Sequence, residues 1–127
     1  MKILVVDDNP INQKFVQLSL RNAHVIETAN DGEEAVIMAS RNIYDLIIMD
    51  LWMPIMDGAE ATLRIRQIDQ ENNRKTPILV FTTSNMENDR TRCLEYGANE
   101  YLVKPVRAAT LMEKVSYFSN QGSASFS

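Results

Sequence analysis

Short apolar runs in this chain end on residues that could do chemistry. Ile3–Val6 is followed by Asp7-Asp8, Leu46–Met49 by Asp50, Ile78–Phe81 by Thr82-Thr83, and Tyr101–Val103 by Lys104-Pro105. A weaker run, Val25–Thr28, is followed by Ala29-Asn30, which carries no obvious chemistry. Taken singly, an aspartate after a strand is a turn former or a helix cap, and a threonine ending a strand reflects β-propensity. As a set they say more. Clustered carboxylates repel one another, and a cation relieves them. A hard ion such as Mg²⁺ suits a site of few carboxylates, several waters and a phosphate oxygen. In such a site a carboxylate can attack phosphorus and form an acyl phosphate. Lysine then offers a point charge to the phosphoryl oxygens and threonine a hydroxyl hydrogen bond.

These residues need a scaffold that brings strand ends together. Continuous apolar runs bounded by polar residues suit strands buried on both faces, as in a parallel sheet. Helical signals lie between them. Asn9-Pro10 is a cap followed by proline at the first helical position, and Ile11, Phe15 and Leu18 are expected to share its apolar face. Asp31 with Glu34, Asp57 with Glu60, and Ser84 with Glu87 have the capping-box spacing or its aspartate analogue. Gly97 is placed to end the fourth helix in the left-handed region. Leu111, Val115 and Phe118 repeat on one face of the fifth. Strand-helix alternation five times over predicts an α/β domain with right-handed crossovers and helices on both faces of the sheet. In such open sheets, ligands sit at the carboxyl ends of the strands. The domain is expected over residues 1–119, with a flexible tail over 120–127.

Composition narrows the partners. The chain has 127 residues, an apolar fraction of 45% and a net charge of −4, which suit one globular domain with a real core. The acidic balance argues against nucleic acid, which wants a basic face; the short stretch Arg64 to Arg66 reads as a solvated helix face. No apolar run approaches a bilayer span, so no membrane contact is expected. The lone cysteine, Cys93, excludes an internal disulfide and fits a reducing, cytoplasmic setting.

From Lys2 to about Ser119 the chain resembles the receiver domains of two-component response regulators. The matching elements are Val6-Asp7-Asp8, the run from Asp50 through Met53-Pro54 to Asp57-Gly58, Thr82, and Tyr101-Leu102-Val103-Lys104-Pro105. The resemblance implies a flavodoxin-like sheet of order 2-1-3-4-5. It implies Asp50 as phosphoacceptor, and Mg²⁺ held by Asp8, Asp50 and the Trp52 backbone carbonyl, with Asp7 as ligand or holder of a metal-bound water. Lys104 would contact the phosphoryl group, across a cis Lys104–Pro105 bond. Thr82 and Tyr101 match the family's switch pair, the hydroxyl moving to the phosphate and the ring swinging inward.

Trp52, Thr83 and Ser84 stand at positions that tune phosphoryl lifetime in this family, and Thr83 replaces its usual alanine or glycine. The donor implied is the phosphohistidine of a histidine kinase or histidine phosphotransfer protein. The chain would then act on itself alone, catalysing its own phosphorylation and dephosphorylation, and is not expected to be a turnover enzyme. The opening turns of the fourth helix, Glu87 to Arg92, are almost wholly polar and mark it as the element expected to move. Two alternatives are a receiver-shaped interaction module without phosphate and an aspartyl-phosphate phosphohydrolase. The latter wants a second acid two residues beyond its nucleophile on the first strand; here Asn9 follows Asp7-Asp8.

Overall fold

A computed structural model describes the backbone of residues 1–124 and the side chains of residues 1–120. Five strands alternate with five helices: β1 (Lys2–Val6), α1 (Pro10–Leu20), β2 (Val25–Ala29), α2 (Gly32–Arg41), β3 (Leu46–Met49), α3 (Gly58–Glu71), β4 (Ile78–Thr82), α4 (Glu87–Glu95), β5 (Glu100–Val103) and α5 (Ala108–Ala124). The strands form one parallel sheet in the order β2-β1-β3-β4-β5. Helix α5 continues past the boundary expected at residue 119. Of the tail expected over 120–127, residues 125–127 lie outside the described residues.

Alternation along the strands divides the core into two layers. Leu4, Val6, Ile47, Met49, Ile78 and Val80 face α2, α3 and α4. Ile3, Val5, Leu46, Ile48, Leu79 and Phe81 face α1 and α5. The central strands β3 and β4 are buried throughout, whereas β2 and β5 are edge strands and only partly covered. That is why the β2 run was the weakest in sequence: an edge strand has less apolar surface to bury.

Local chemistry sets the helix ends. Asn9 accepts from the Ile11 amide ahead of Pro10, and Asp31 and Asp57 accept from the amides of Glu34 and Glu60. Gly97, at φ 116°, closes α4 with Gly97 N–H bonded to Leu94 O and Ala98 N–H to Cys93 O, the paired Schellman bonds. Leu111, Val115 and Phe118 are the buried face of α5 as expected.

Three local expectations are corrected. The buried residues of α1 are Val16 and Leu20 with Phe15 partly covered, while Ile11 is 78% and Leu18 50% exposed. Ser84 forms no capping box with Glu87, because α4 begins with Met86 as its uncapped N-terminal residue. Ser84 lies too early to cap and instead gives its hydroxyl to Asp89 at 2.6 Å. Arg66 is not a solvated residue either. Its guanidinium bonds Gly97 O, Asp69, Thr76 O and Asn99 at 2.6–2.9 Å, joining α3 to the amino-terminal edge of β4 and β5.

Candidate phosphoryl-transfer site

The site lies at the carboxyl edge of the sheet, where β1 is flanked by β2 on one side and β3 on the other. This is the topological switch point of the fold, where the chain winds away in both directions and leaves a crevice. Hydrogen bonding of the sheet carries on into the site. The Asp7 amide bonds Ala29 O, the Asp50 amide bonds Val6 O and the Lys104 amide bonds Thr82 O, at 2.7–3.1 Å. The candidate side chains of Asp7, Asp50 and Lys104 are therefore mounted on the rigid ladder and not on free loops.

Asp7, Asp8 and Asp50 each offer an oxygen to a cluster whose ligand atoms all lie within 4.8 Å of one another. Asp7 is buried, Asp8 exposed and Asp50 half-buried. Lys104 reaches Asp7 at 2.8 Å, and both side chains are largely covered; its ammonium also lies 5.1 Å from the centre of the Phe81 ring. The other Asp7 oxygen accepts from the Asn9 amide at 2.9 Å. Asp50 accepts from the Leu51 amide at 2.8 Å.

Burial pushes the Asp50 carboxyl above the ordinary carboxylate range. Lys104 opposes that push, Asp7 reinforces it, and hydrogen bonds from Thr82 and the Leu51 amide oppose it. Independently of that burial effect, three carboxylates face one ammonium, which leaves the cluster short of positive charge. An all-oxygen set of this kind, short of positive charge, fits a hard divalent cation.

The loop after Asp50 is held by backbone. The Gly58 amide bonds Leu51 O at 2.7 Å, folding the start of α3 back against β3. A Cβ on Gly58 would stand 2.0 Å from Asp50 O, so only glycine allows this approach. Asp57 beside it both caps α3 and receives the Arg92 guanidinium from α4 at 3.0 Å. Within the same loop Ile55 adopts φ 73°.

The remaining candidates lie on β4 and β5 and in the loops that follow β3, β4 and β5. Thr82 is buried at the end of β4, and its oxygen accepts from the Ser84 amide at 3.5 Å. Tyr101 is turned inward and buried, its hydroxyl donating to Ser84 O at 2.9 Å; burial pushes its pKa up. Thr83 is exposed, Ser84 half-buried, and Trp52 53% exposed. The Lys104–Pro105 bond is cis. Cys93 faces the core with its thiol pushed up by burial to about 11 and stays protonated.

Sequence reasoning passed over two pairs. Asn30 pairs with the carboxamide of Gln13, which also bonds Asp7 O. Asp57 was noticed as a cap and as part of the run shared with receiver domains, and Arg92 only as a polar helix residue. Nothing in their local spacing signals the contact, since 35 positions separate them.

Among the described residues, no helix is long and apolar enough to cross a membrane. The family model described as the response regulator receiver domain matches residues 3–116. A hybrid signal transduction histidine kinase of Dictyostelium discoideum is 36% identical over 121 residues, covering 87% of this chain and 6% of the kinase. The transcriptional regulatory protein HprR of Escherichia coli is 37% identical over 116 residues, covering 91% of this chain and 50% of that protein. The chain thus spans half or less of these curated relatives. Among solved structures, the Vibrio cholerae chemotaxis protein CheY4 aligns with TM-score 0.84 at 34% identity, covering 92% of this chain and 97% of its own. The receiver domain of the Pseudomonas aeruginosa sensor histidine kinase PA1611 was solved with magnesium in its active-site cleft. It aligns with TM-score 0.83 at 40% identity, over 92% of this chain and 95% of that one.

Proposed function

Because the chain belongs to the response regulator receiver domain family, we propose that it accepts a phosphoryl group on Asp50 and signals through the change of surface that follows. The observation that carries this reading is the placement of Asp50 in an acidic cluster with a single ammonium opposite it. Mg²⁺ would be held by Asp7, Asp8, Asp50 and the Trp52 backbone carbonyl. When bound, the ion supplies the positive charge that the cluster lacks and neutralises phosphoryl oxygens.

The residues divide the work. An Asp50 carboxylate oxygen forms the new bond to phosphorus as the bond from phosphorus to a donor imidazole nitrogen breaks. Lys104, now on Asp7, turns its ammonium to the phosphoryl oxygens, and the Thr82 hydroxyl adds a hydrogen bond. Tyr101 is the ring of the switch pair; its inward position and its bond to Ser84 O couple β5 to the loop after β4. Helix α4 buries only Cys93 and has few apolar anchors, which suits an element that shifts. Trp52, Thr83 and Ser84 border the crevice and set how fast water removes the phosphoryl group. The donor is the phosphohistidine of a histidine kinase or histidine phosphotransfer protein, met in the cytoplasm. The chain turns over no free substrate.

The test is direct. Incubation with a small acyl phosphate and Mg²⁺ should add one phosphoryl group to the intact mass of the wild type. Asp50→Asn, or wild type in a chelator, should gain none. Equal labelling of wild type and Asp50→Asn would refute the assignment.

A further inference from the structure

The Gln13 carboxamide sits at the junction between the ends of β1 and β2. Its Nε2 lies 2.6 Å from Asp7 O, 2.9 Å from Asn30 Oδ1 and 3.3 Å from Ala29 O. An amide nitrogen has two protons, so the two short contacts take one each and the third is shared. Gln13 thereby ties the last residue of the β1 edge to the end of β2. Beyond Val6 and Ala29 the β1–β2 register ends on one last backbone bond, Asp7 N–H to Ala29 O at 3.1 Å, and among the described residues the Asp7 carbonyl bonds the Gln13 side chain alone.

The consequence falls on the acids. Asp7 directs its carboxylate by accepting from Asn9 N–H while its own carbonyl is fixed by Gln13. Asn9 in turn caps α1, the helix that carries Gln13, so the Asp7–Pro10 turn is closed on itself. Asp8 lies inside that closed turn and is otherwise exposed. We propose that Gln13, with Asn30 as its partner, is the positioning residue that holds the Asp7-Asp8 pair in a cation-ready arrangement. The inference rests on the phospho-acceptor reading above. Gln13 touches no ligand atom and acts on backbone. Without its amide the turn keeps only the Asp7 N–H bond to Ala29 O as its tie to β2, the Asp7 carbonyl is released, and the two carboxylates move apart under their own repulsion.

The experiment uses the full chain and Mg²⁺ alone, followed by calorimetric titration. Gln13→Met keeps the length and apolar stem of the side chain and removes the donor. Thr76→Val, at the opposite edge of the sheet, removes a hydroxyl bond to Asp69 and serves as a control for lost stability. Wild type should bind, Gln13→Met should bind about tenfold more weakly, as for other groups that orient metal ligands, and Thr76→Val should bind like wild type. In metal-free protein, the Asp8 and Asn9 amides should exchange faster in Gln13→Met. Asn30→Ala, which leaves the bond to Asp7 O, should weaken binding by less and serves if Gln13→Met does not fold. Wild-type affinity in Gln13→Met, or in Asn30→Ala where that stands in, would overturn the inference, as would an equal loss in Thr76→Val. A wild type that takes up no Mg²⁺ would overturn the phospho-acceptor reading itself, a distinct outcome.

Discussion

At the amino edge of the sheet Asp69 is 3% exposed and receives Arg66, the Thr76 amide and the Thr76 hydroxyl, each at 2.8–2.9 Å. At the carboxyl edge, Asp7, Asp8 and Asp50 cluster around one ammonium, Lys104, which pairs with Asp7. The same strands thus end in a saturated charge network on one side and a deficient one on the other. A buried carboxylate surrounded by donors holds the fold together, because losing any partner strands the rest. A cluster short of cations weakens the fold slightly and is ready for a ligand that supplies the missing charge. Structure and function are separated along the length of the strands.

The largest effect is expected at the saturated edge. Asp69→Ala takes the carboxylate from the Arg66 guanidinium and from two Thr76 donors, and should cost about 3 kcal/mol in urea unfolding, as for a broken buried pair. Its Mg²⁺ affinity, measured where the protein is folded, should match wild type; a weakened affinity would mean that the two edges are not separate.

Next comes Gly58→Ala at the deficient edge. The new Cβ would meet the backbone of Asp50 and Leu51, neither of which can swing aside. A loss of about 2 kcal/mol is expected from the overpacking, and here Mg²⁺ binding should fall with it. Normal binding in the folded variant would show that the approach of α3 does not shape the site.

Asp50→Asn should act in the opposite direction. The Asp50 pKa is raised by burial, so the folded state holds the proton more tightly than the unfolded chain. Stability from this group is present below the ordinary carboxylate value of about 3.9 and is lost as pH rises through the higher folded value. In a chelator, Asp50→Asn should therefore melt above wild type at neutral pH, and the gap should close as pH falls below about 4. A gap of constant size across that range would remove the buried Asp50 charge as its cause.

The smallest effect concerns Ile55, a β-branched residue at φ 73° with 75% of its surface exposed. Ile55→Gly gives up little packing and relieves the left-handed strain, so a gain of about 0.5 kcal/mol is expected by the same unfolding measurement, what remains of a cost of 1–2 kcal/mol after glycine's own entropy. A loss of stability would place an unseen packing role in this loop.

The deficient edge was the legible one. Asp7, Asp50, Thr82 and Lys104 each end or follow an apolar run, so strand-helix alternation and the carboxyl-end rule for open sheets bring them to one edge. The saturated edge was hidden. Arg66 and Asp69 sit three apart on a helix and look like a surface pair, while Thr76 and Asn99 join them only through tertiary contact. Ser84 misled because its spacing to Glu87 satisfies a local rule, and Asp89 competes successfully for its hydroxyl. The apolar face of α1 was misjudged because Ile11 and Leu18 are as apolar as Val16 and Leu20, and only packing against β1 and α5 decides between them. Gln13 carries no charge and left no signal at all.

The central claim is that the carboxyl edge lacks positive charge and that a cation supplies it there. The most direct test is thermal unfolding across a Mg²⁺ titration, with wild type, Asp50→Asn and Asp69→Ala side by side. Binding to the folded state alone raises the melting temperature with ligand concentration. Wild type and Asp69→Ala should rise in parallel from their different starting points, while Asp50→Asn stays nearly flat. A wild type indifferent to Mg²⁺, or an Asp50→Asn that rises as steeply as wild type, would contradict it.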